Sequence, residues 1–184
     1  TDIKTGCSFT KSYTVKGVPD IVAGGSVVST IKCFGGTGTI RFTVTGVKSK
    51  FDYIIKNGSG TTIQSANNID GASNTTISVS SALPVGSYTI TATDRTTKCQ
   101  ATYTVTLTQP NSAIDVTATA ANITCSKFTS VITAVGAGGT PNYTYAVVER
   151  NATAPTVIAG GASLTVDTAN GTKMFWDVYV KDAN

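Results

Sequence analysis

The sequence predicts an all-β chain of antiparallel β-sandwiches, and three observations predict it. Thr, Val, Ile and Tyr dominate, residue types that suit a pleated, half-buried surface. Apolar and hydroxyl side chains alternate with period two in several stretches. Gly and Asn punctuate those stretches at short intervals, while no segment carries a capped 3.6-residue period and the good helix formers are scarce.

Taken in chain order, Gly24-Gly25 and Gly35-Gly36 are read as turns. Cys33-Phe-Gly-Gly-Thr-Gly-Thr39 is a strand-to-strand turn, because it lacks the following helix and the Lys-Ser/Thr pair of a phosphate-binding loop. Thr39-Ile-Arg-Phe-Thr-Val44 alternates and is a strand, and Asn57-Gly58 marks the next turn. In Ser87–Thr93, Tyr88, Ile90 and Ala92 face one way and Thr89, Thr91 and Thr93 the other. Ala101–Leu107 repeats that alternation. Gln109-Pro110-Asn111-Ser112 is the candidate hinge, since Pro ends strand pairing and Asn-Ser favours a turn. Gly138-Gly139, Gly160-Gly161 and Asn170-Gly171 punctuate the remainder, and Trp176-Asp-Val-Tyr-Val180 is the last strand.

The cysteines expose an internal repeat. Cys7 to Cys33 and Cys99 to Cys125 both span 26 positions (33 − 7 and 125 − 99), and the offset between the pairs is 92 (99 − 7). In that register Ile31, Thr37 and Ile40 match Ile123, Thr129 and Ile132, Gly46 matches Gly138, and Tyr53 matches Tyr145. Towards the end the register slips by four, which sets Asp182 opposite Asp94 and Trp176 opposite Tyr88. A unit of about 90 residues has the size of an immunoglobulin-like (Ig-like) sandwich. The expected organisation is a window on a tandem array. Residues 1–18 are the final strand of a preceding repeat, 19–110 an Ig-like repeat, and 111–184 a second Ig-like repeat without its last strand. Such a unit leaves a sheet edge open. Residues 1–18 of a neighbouring molecule, or chain beyond Asn184, are expected to close it.

Composition narrows the function. With 40% hydrophobic residues the chain can build a core, so disorder is excluded. A net charge of +4 from sparse, scattered basic residues does not make a nucleic-acid surface. No apolar run reaches the roughly 20 residues of a membrane-spanning helix, and Thr1–Thr10 is neither a signal peptide nor a targeting signal. There is no His and the only Glu is Glu149. The commonest general base and every Ser-His or Cys-His couple are therefore missing. The chain is expected not to be an enzyme, and no residue receives a catalytic role.

Several motifs resemble one known family. Gly138-Gly-Thr-Pro-Asn-Tyr-Thr-Tyr145 resembles the GGTPPYTY turn of SprB-type repeats, found in large surface adhesins of gliding Bacteroidetes. Gly86–Asp94, Cys33–Gly38, Thr108-Gln-Pro110 and Lys181–Asn184 resemble further stations of the same repeat, in the same order. Two places depart from it: Gly46–Tyr53 stands where GGTPPYTY belongs, and Cys125-Ser-Lys where a Cys-Phe-Gly turn belongs. The resemblance implies a repeat segment of a cell-surface adhesin filament on a bacterium. It implies export by the type 9 secretion system, attachment to surfaces or polysaccharides, and a link to gliding motility. The alternatives are an inert stalk or pilus-like shaft, and a carbohydrate-binding module of a secreted enzyme. Expected partners are neighbouring repeats of the same chain and a surface or polysaccharide ligand, with no nucleic acid and no membrane insertion of this segment.

Candidate sites are few. An even Cys count in a Thr-rich β protein suggests an oxidising exterior, and CxxC spacing is absent. One bridge per unit would join Cys33 to Cys99, with Cys7 and Cys125 pairing outside the window. The first and last strands of such a sandwich run parallel, however, which could separate Cys33 from Cys99 by a strand length against the roughly 7 Å a bridge tolerates. Inter-repeat pairing, from the end of one unit's first strand to the last hairpin of the next, is the alternative. Under the family resemblance, Asp167-Thr168-Ala169 fits an O-glycosylation motif, with Thr168 as acceptor. Phe42, Tyr88 and Tyr103 are read as core. Tyr143, Tyr145, Trp176 and Tyr179 are the candidate ligand-facing aromatics, although Trp176 in the register of Tyr88 also reads as core. Nine Asp form no Asp-x-Asp-x-Asp loop, so no cofactor or metal is expected and calcium has no motif behind it.

Overall fold

The computed structural model describes residues 8–15, 17, 20–71, 74–169 and 171–184. Among them it is all-β, with strands β1 (Val22–Ser29), β2 (Gly38–Thr45), β3 (Lys50–Asn57), β4 (Thr62–Asp70), β5 (Thr75–Leu83) and β6 (Gly86–Asp94), then β7 (Gln100–Leu107), β8 (Asp115–Ala120), β9 (Thr129–Ala137), β10 (Thr144–Glu149), β11 (Ser163–Asp167) and β12 (Trp176–Lys181). Every strand pair is antiparallel. Among the described residues no helix is long and apolar enough to cross a membrane.

The first seven strands form two sheets, ordered β1-β2-β5 and β4-β3-β6-β7. Period-two alternation makes them face each other. Ile40, Phe42 and Val44 of β2 are buried, as are Tyr88, Ile90 and Ala92 of β6, while the intervening Thr and Arg side chains lie further out. Phe51, Tyr53 and Ile55 of β3, Ile77 and Val79 of β5, and Val105 and Leu107 of β7 complete one core between the sheets. Tyr103, read as core, is instead 41% exposed on the edge strand β7.

Gly24-Gly25 is not a turn but lies inside β1. Gly25 pairs with Phe42, and a Cβ there would stand 2.7 Å from the Phe42 ring and 2.8 Å from Val105. The glycine is a gap that admits a large ring from the next strand. Asn57-Gly58 does turn the chain: the Asn57 carboxamide oxygen accepts the Thr61 amide at 2.8 Å.

The second set comprises a β11-β9-β8 sheet and a β10-β12 pair. Its buried apolar side chains are Ile132, Ala134, Tyr145 and Val166. Residues 150–162 contain no strand, and only a single bridge joins Tyr145 to Gly160.

Two local devices recur in both sets at the offsets found in the sequence, and a third, an aromatic tie, recurs with its acceptor one residue out of register. Gly46 and Gly138 each follow a strand with positive φ, +73° and +68°. A Cβ at either would fall about 2 Å from a backbone oxygen, that of Asp20 (2.0 Å) or Ala113 (1.8 Å). Asp94 accepts the Lys48 amide at 2.7 Å, and Asp182 accepts the Thr140 amide at 2.9 Å. The Tyr88 hydroxyl donates to the Pro84 carbonyl at 2.8 Å, and the Trp176 indole donates to the Lys173 carbonyl at 3.2 Å.

The connecting stretch is held at both ends. The Gln109 carboxamide oxygen accepts the Gly35 amide at 3.0 Å, and the Ser112 carbonyl accepts the Gly139 amide at 3.0 Å. Residues 8–15, expected within a strand, form none in this chain, and Cys7 lies outside the described residues.

Candidate functional site

A concave surface lies in the second set, where β8 and β12 draw together without pairing. It has two adjoining parts of about 430 and 210 Å³ that share Ala120, Ile132, Met174 and Trp176. Val166 and Thr168 floor the larger part, and Ala118 and Val178 flank the smaller. In the first set the corresponding place is filled by β7, which pairs with β6 and lays Val105 and Leu107 into the core. Among the described residues no strand pairs with β12 on the side away from β10.

Small side chains open this cleft. β1 and β2 meet as Gly25 opposite Phe42, but β8 and β9 meet as Ala118 opposite Ala134. Ala134 occupies the position of Phe42 at the 92-residue offset, so a buried ring is missing. This substitution is visible in the repeat register, but Ala134 is buried and does not line the cleft, whose small lining side chains are Ala118, Ala120 and Ala121. Composition and motifs did not single out Met174, Ala118 or Ala120.

Of the candidate aromatics, Trp176 lines the cleft, with its indole N–H held by the Lys173 carbonyl. Tyr145 is buried, and its hydroxyl accepts the Gly136 amide at 2.8 Å, so it belongs to the core rather than to a ligand face. Tyr143 lays its ring over Gly136 and donates to the Gly138 carbonyl at 2.5 Å, which makes it a brace for the turn. Tyr179 is half-buried and alternates away from Trp176 and Val178 along β12. The four rings do not converge on one surface.

Thr168 is 3% exposed and its hydroxyl donates to the Phe128 carbonyl at 2.5 Å. A buried, occupied hydroxyl cannot accept a sugar in the folded chain, which removes the glycosylation candidate for the native state.

Cys33, Cys99 and Cys125 are exposed free thiols. β1 runs alongside β7 in the same direction: Gly25 approaches Val105, Gly38 approaches Leu107, and Gly35 is bonded to Gln109. Cys33 therefore sits past the end of β7 and Cys99 just before its start. Eight strand residues separate these levels by roughly 25 Å, so the Cys33–Cys99 bridge does not form. Asn184, which enters the place of the last hairpin in the second set, donates to the Lys32 carbonyl at 3.2 Å, immediately beside Cys33.

The charged groups are structural. Asp94 is 1% exposed; the Lys48 amide, foremost, and the Thr97 amide hold its carboxyl below the usual carboxylate range, against burial. Burial pushes the Tyr88 hydroxyl up. At the rim of β10 and β12, Lys173 pairs with Glu149 at 2.8 Å, which raises the ammonium. Arg150 lies 5.1 Å from the centre of the Phe175 ring and 3.5 Å from Asp177. Among the described residues no group of three His, Cys, Asp or Glu is placed to hold a metal ion.

No family model, curated protein or solved structure matches this chain.

Proposed function

We propose that the chain is a load-bearing segment of an extracellular bacterial adhesin filament, made of tandem Ig-like repeats and attaching to surfaces or polysaccharides. The observation that carries this reading is the recurrence of the same glycine turn and aspartate clamp in both sets of sheets. The strand order β1-β2-β5 over β4-β3-β6-β7 supports an Ig-like unit. So does the bond from Tyr88 back to Pro84, a tyrosine-corner arrangement.

The resemblance of the motifs to SprB-type repeats supplies the adhesin, the bacterial surface and the secretion route. Threonine rows such as Thr89 opposite Thr104 coat the outer sheet with uncharged hydroxyls, which hydrates a long filament without charge. Multiplied weak contacts along an array then supply avidity. The free Cys33 beside Asn184 favours the inter-repeat staple over a bridge within one unit.

Retention of the folded protein on abiotic surfaces and on a polysaccharide panel tests the adhesive reading. Saturable retention that survives moderate salt is expected. No retention by a protein shown to be folded would assign these units to an inert stalk.

A further inference from the structure

We propose that the outer face of the β4-β3-β6-β7 sheet carries a binding groove for a chain of an uncharged polysaccharide. The inference rests on the polysaccharide-attachment reading above and assigns that attachment to named side chains of the first set.

The groove crosses the sheet near the Asp94 end of β6 and holds about 350 Å³, a volume typical of small-ligand sites. Ser65 and Asn67 of β4, Ile54 of β3, Thr91 and Thr93 of β6 and Gln100 of β7 line it. Strand pairing sets Ile54 level with Ser65 and Thr91, and Thr93 level with Asp52 and Gln100. The period of two turns these side chains away from the core. Four strands spaced by about 4.8 Å give the groove a length of roughly 14 Å, the reach of a short run of sugar rings.

A bulge builds one wall. β3 and β4 pair Phe51 with Ile69 and Tyr53 with Ala66, so Asn67 and Asn68 together oppose the single Asp52. Asn68 takes a φ of +62°, a conformation that persists in a non-glycine residue only where the surroundings hold it. Its amide donates to Asp52 Oδ1 at 2.8 Å, and its carboxamide oxygen accepts Arg95 Nη1 at 3.1 Å. Bulges re-aim side chains beside binding sites, and this one places Asn67 in the groove.

The polar groups in the groove are unspent. Towards the other end of the same face the hydroxyls pair off, Ser87 with Thr106 at 3.2 Å and Thr89 with Thr104 at 2.8 Å. Among the described residues the side chains of Ser65, Asn67, Thr91, Thr93 and Gln100 make no hydrogen bond within the chain. Carboxamides and hydroxyls both donate and accept, as sugar hydroxyls do, and Ile54 between them offers an apolar floor to the C–H face of a ring. Charge selects a neutral chain. Asp52, the charged lining residue, is matched by Arg95 at 3.8 Å, which leaves no excess positive charge to hold a uronate polymer. The second set has no copy of the groove. At the 88-residue offset Tyr179 and Lys181 replace Thr91 and Thr93, and residues 150–162 supply no strand in the place of β4.

Amide chemical shifts of the full chain, followed as cellohexaose, xylohexaose, laminarihexaose, chitohexaose or hexagalacturonate is added, test this. At least one of the neutral oligosaccharides should bind one-to-one and shift the amides around Asp52, Asn67 and Thr93, while hexagalacturonate should not bind. The emission of Trp176, in the other set, should stay constant. Asn67→Ala/Gln100→Ala should weaken binding at least about tenfold with the fold intact, because neither side chain bonds within the chain. Thr91→Arg should block the groove, whereas Thr106→Arg, on the same face outside it, should bind as wild type does. Binding that survives Asn67→Ala/Gln100→Ala, that maps onto β10 and β12, or that prefers hexagalacturonate would overturn the groove while leaving attachment to polysaccharide standing. Retention on a polysaccharide panel without any oligosaccharide-induced shift would do the same. Neither retention nor shifts from the folded protein would overturn both.

Discussion

Asp94 accepts the backbone amide of Lys48 at 2.7 Å, tying the end of β6 to the turn that leads into β3. Its second oxygen accepts the Thr96 and Thr97 amides at 2.7 and 2.9 Å. One buried carboxylate thus closes its own turn and clamps another that lies far away in sequence. Asp182 repeats the long-range part of this device on Thr140.

Replacing Asp94 by Asn should cost about 1–3 kcal/mol at neutral pH, because amides that now donate to a charged acceptor lose it. The folded-state pKa of Asp94 is depressed. Its contribution is therefore present above the unfolded value near 4 and is lost as pH falls through the folded value. Denaturant melts of wild type and Asp94→Asn should differ most near pH 7 and converge as pH falls through the depressed folded-state value of Asp94.

Gly46→Ala should destabilise the first set by about 2–5 kcal/mol, combining a left-handed backbone with a Cβ forced onto the Asp20 carbonyl. Gly60 has the same sign of φ (+85°) but open space around it. Gly60→Ala should cost only about 1–2 kcal/mol. Thermal melts of the two variants separate the steric contribution from the conformational one.

A thiol reagent should label Cys33, Cys99 and Cys125 rapidly in the folded protein, because all three are exposed and unbonded. Cys33→Ser and Cys99→Ser should each leave stability within about 0.5 kcal/mol of wild type. A Cys33–Cys99 cross-linked peptide from the native monomer would refute the parallel placement of β1 and β7.

Thr168→Val should cost about 1 kcal/mol by removing the hydroxyl bond to Phe128 while leaving the backbone bond in place. The peptide spanning Thr168 in protein from its native source should carry its unmodified mass.

The fold was legible where side chains alternate. Tyr88-Ile90-Ala92 and Ile40-Phe42-Val44 declare their buried faces in the sequence, because a period of two sets one face against the core. The 92-residue offset also located Gly46 with Gly138 and, after the slip, Asp94 with Asp182, although their clamping role needed the structure. Gly24-Gly25 misled because a glycine pair signals a turn or a close approach equally well, and only the ring of Phe42 decides between them. Thr168 and Tyr145 misled for a related reason. A three-residue motif or a lone aromatic carries no burial information, and both side chains spend their polar atoms on backbone groups distant in sequence or across a turn. The exchange of Phe42 for Ala134 was legible in the repeat register, but Ala134 is buried away from the cleft, whose lining by Ala118, Ala120 and Met174 needed the structure.

Single-molecule stretching from the two ends tests most directly whether the chain is two mechanical units in series. Two separate unfolding steps are expected, of roughly 300 Å for residues 20–107 and roughly 240 Å for residues 115–182 at full extension. The shorter step should come at lower force, because among the described residues the second set buries fewer apolar side chains and no strand pairs with β12 on the side away from β10. A single step releasing the whole length would contradict two independent load-bearing units.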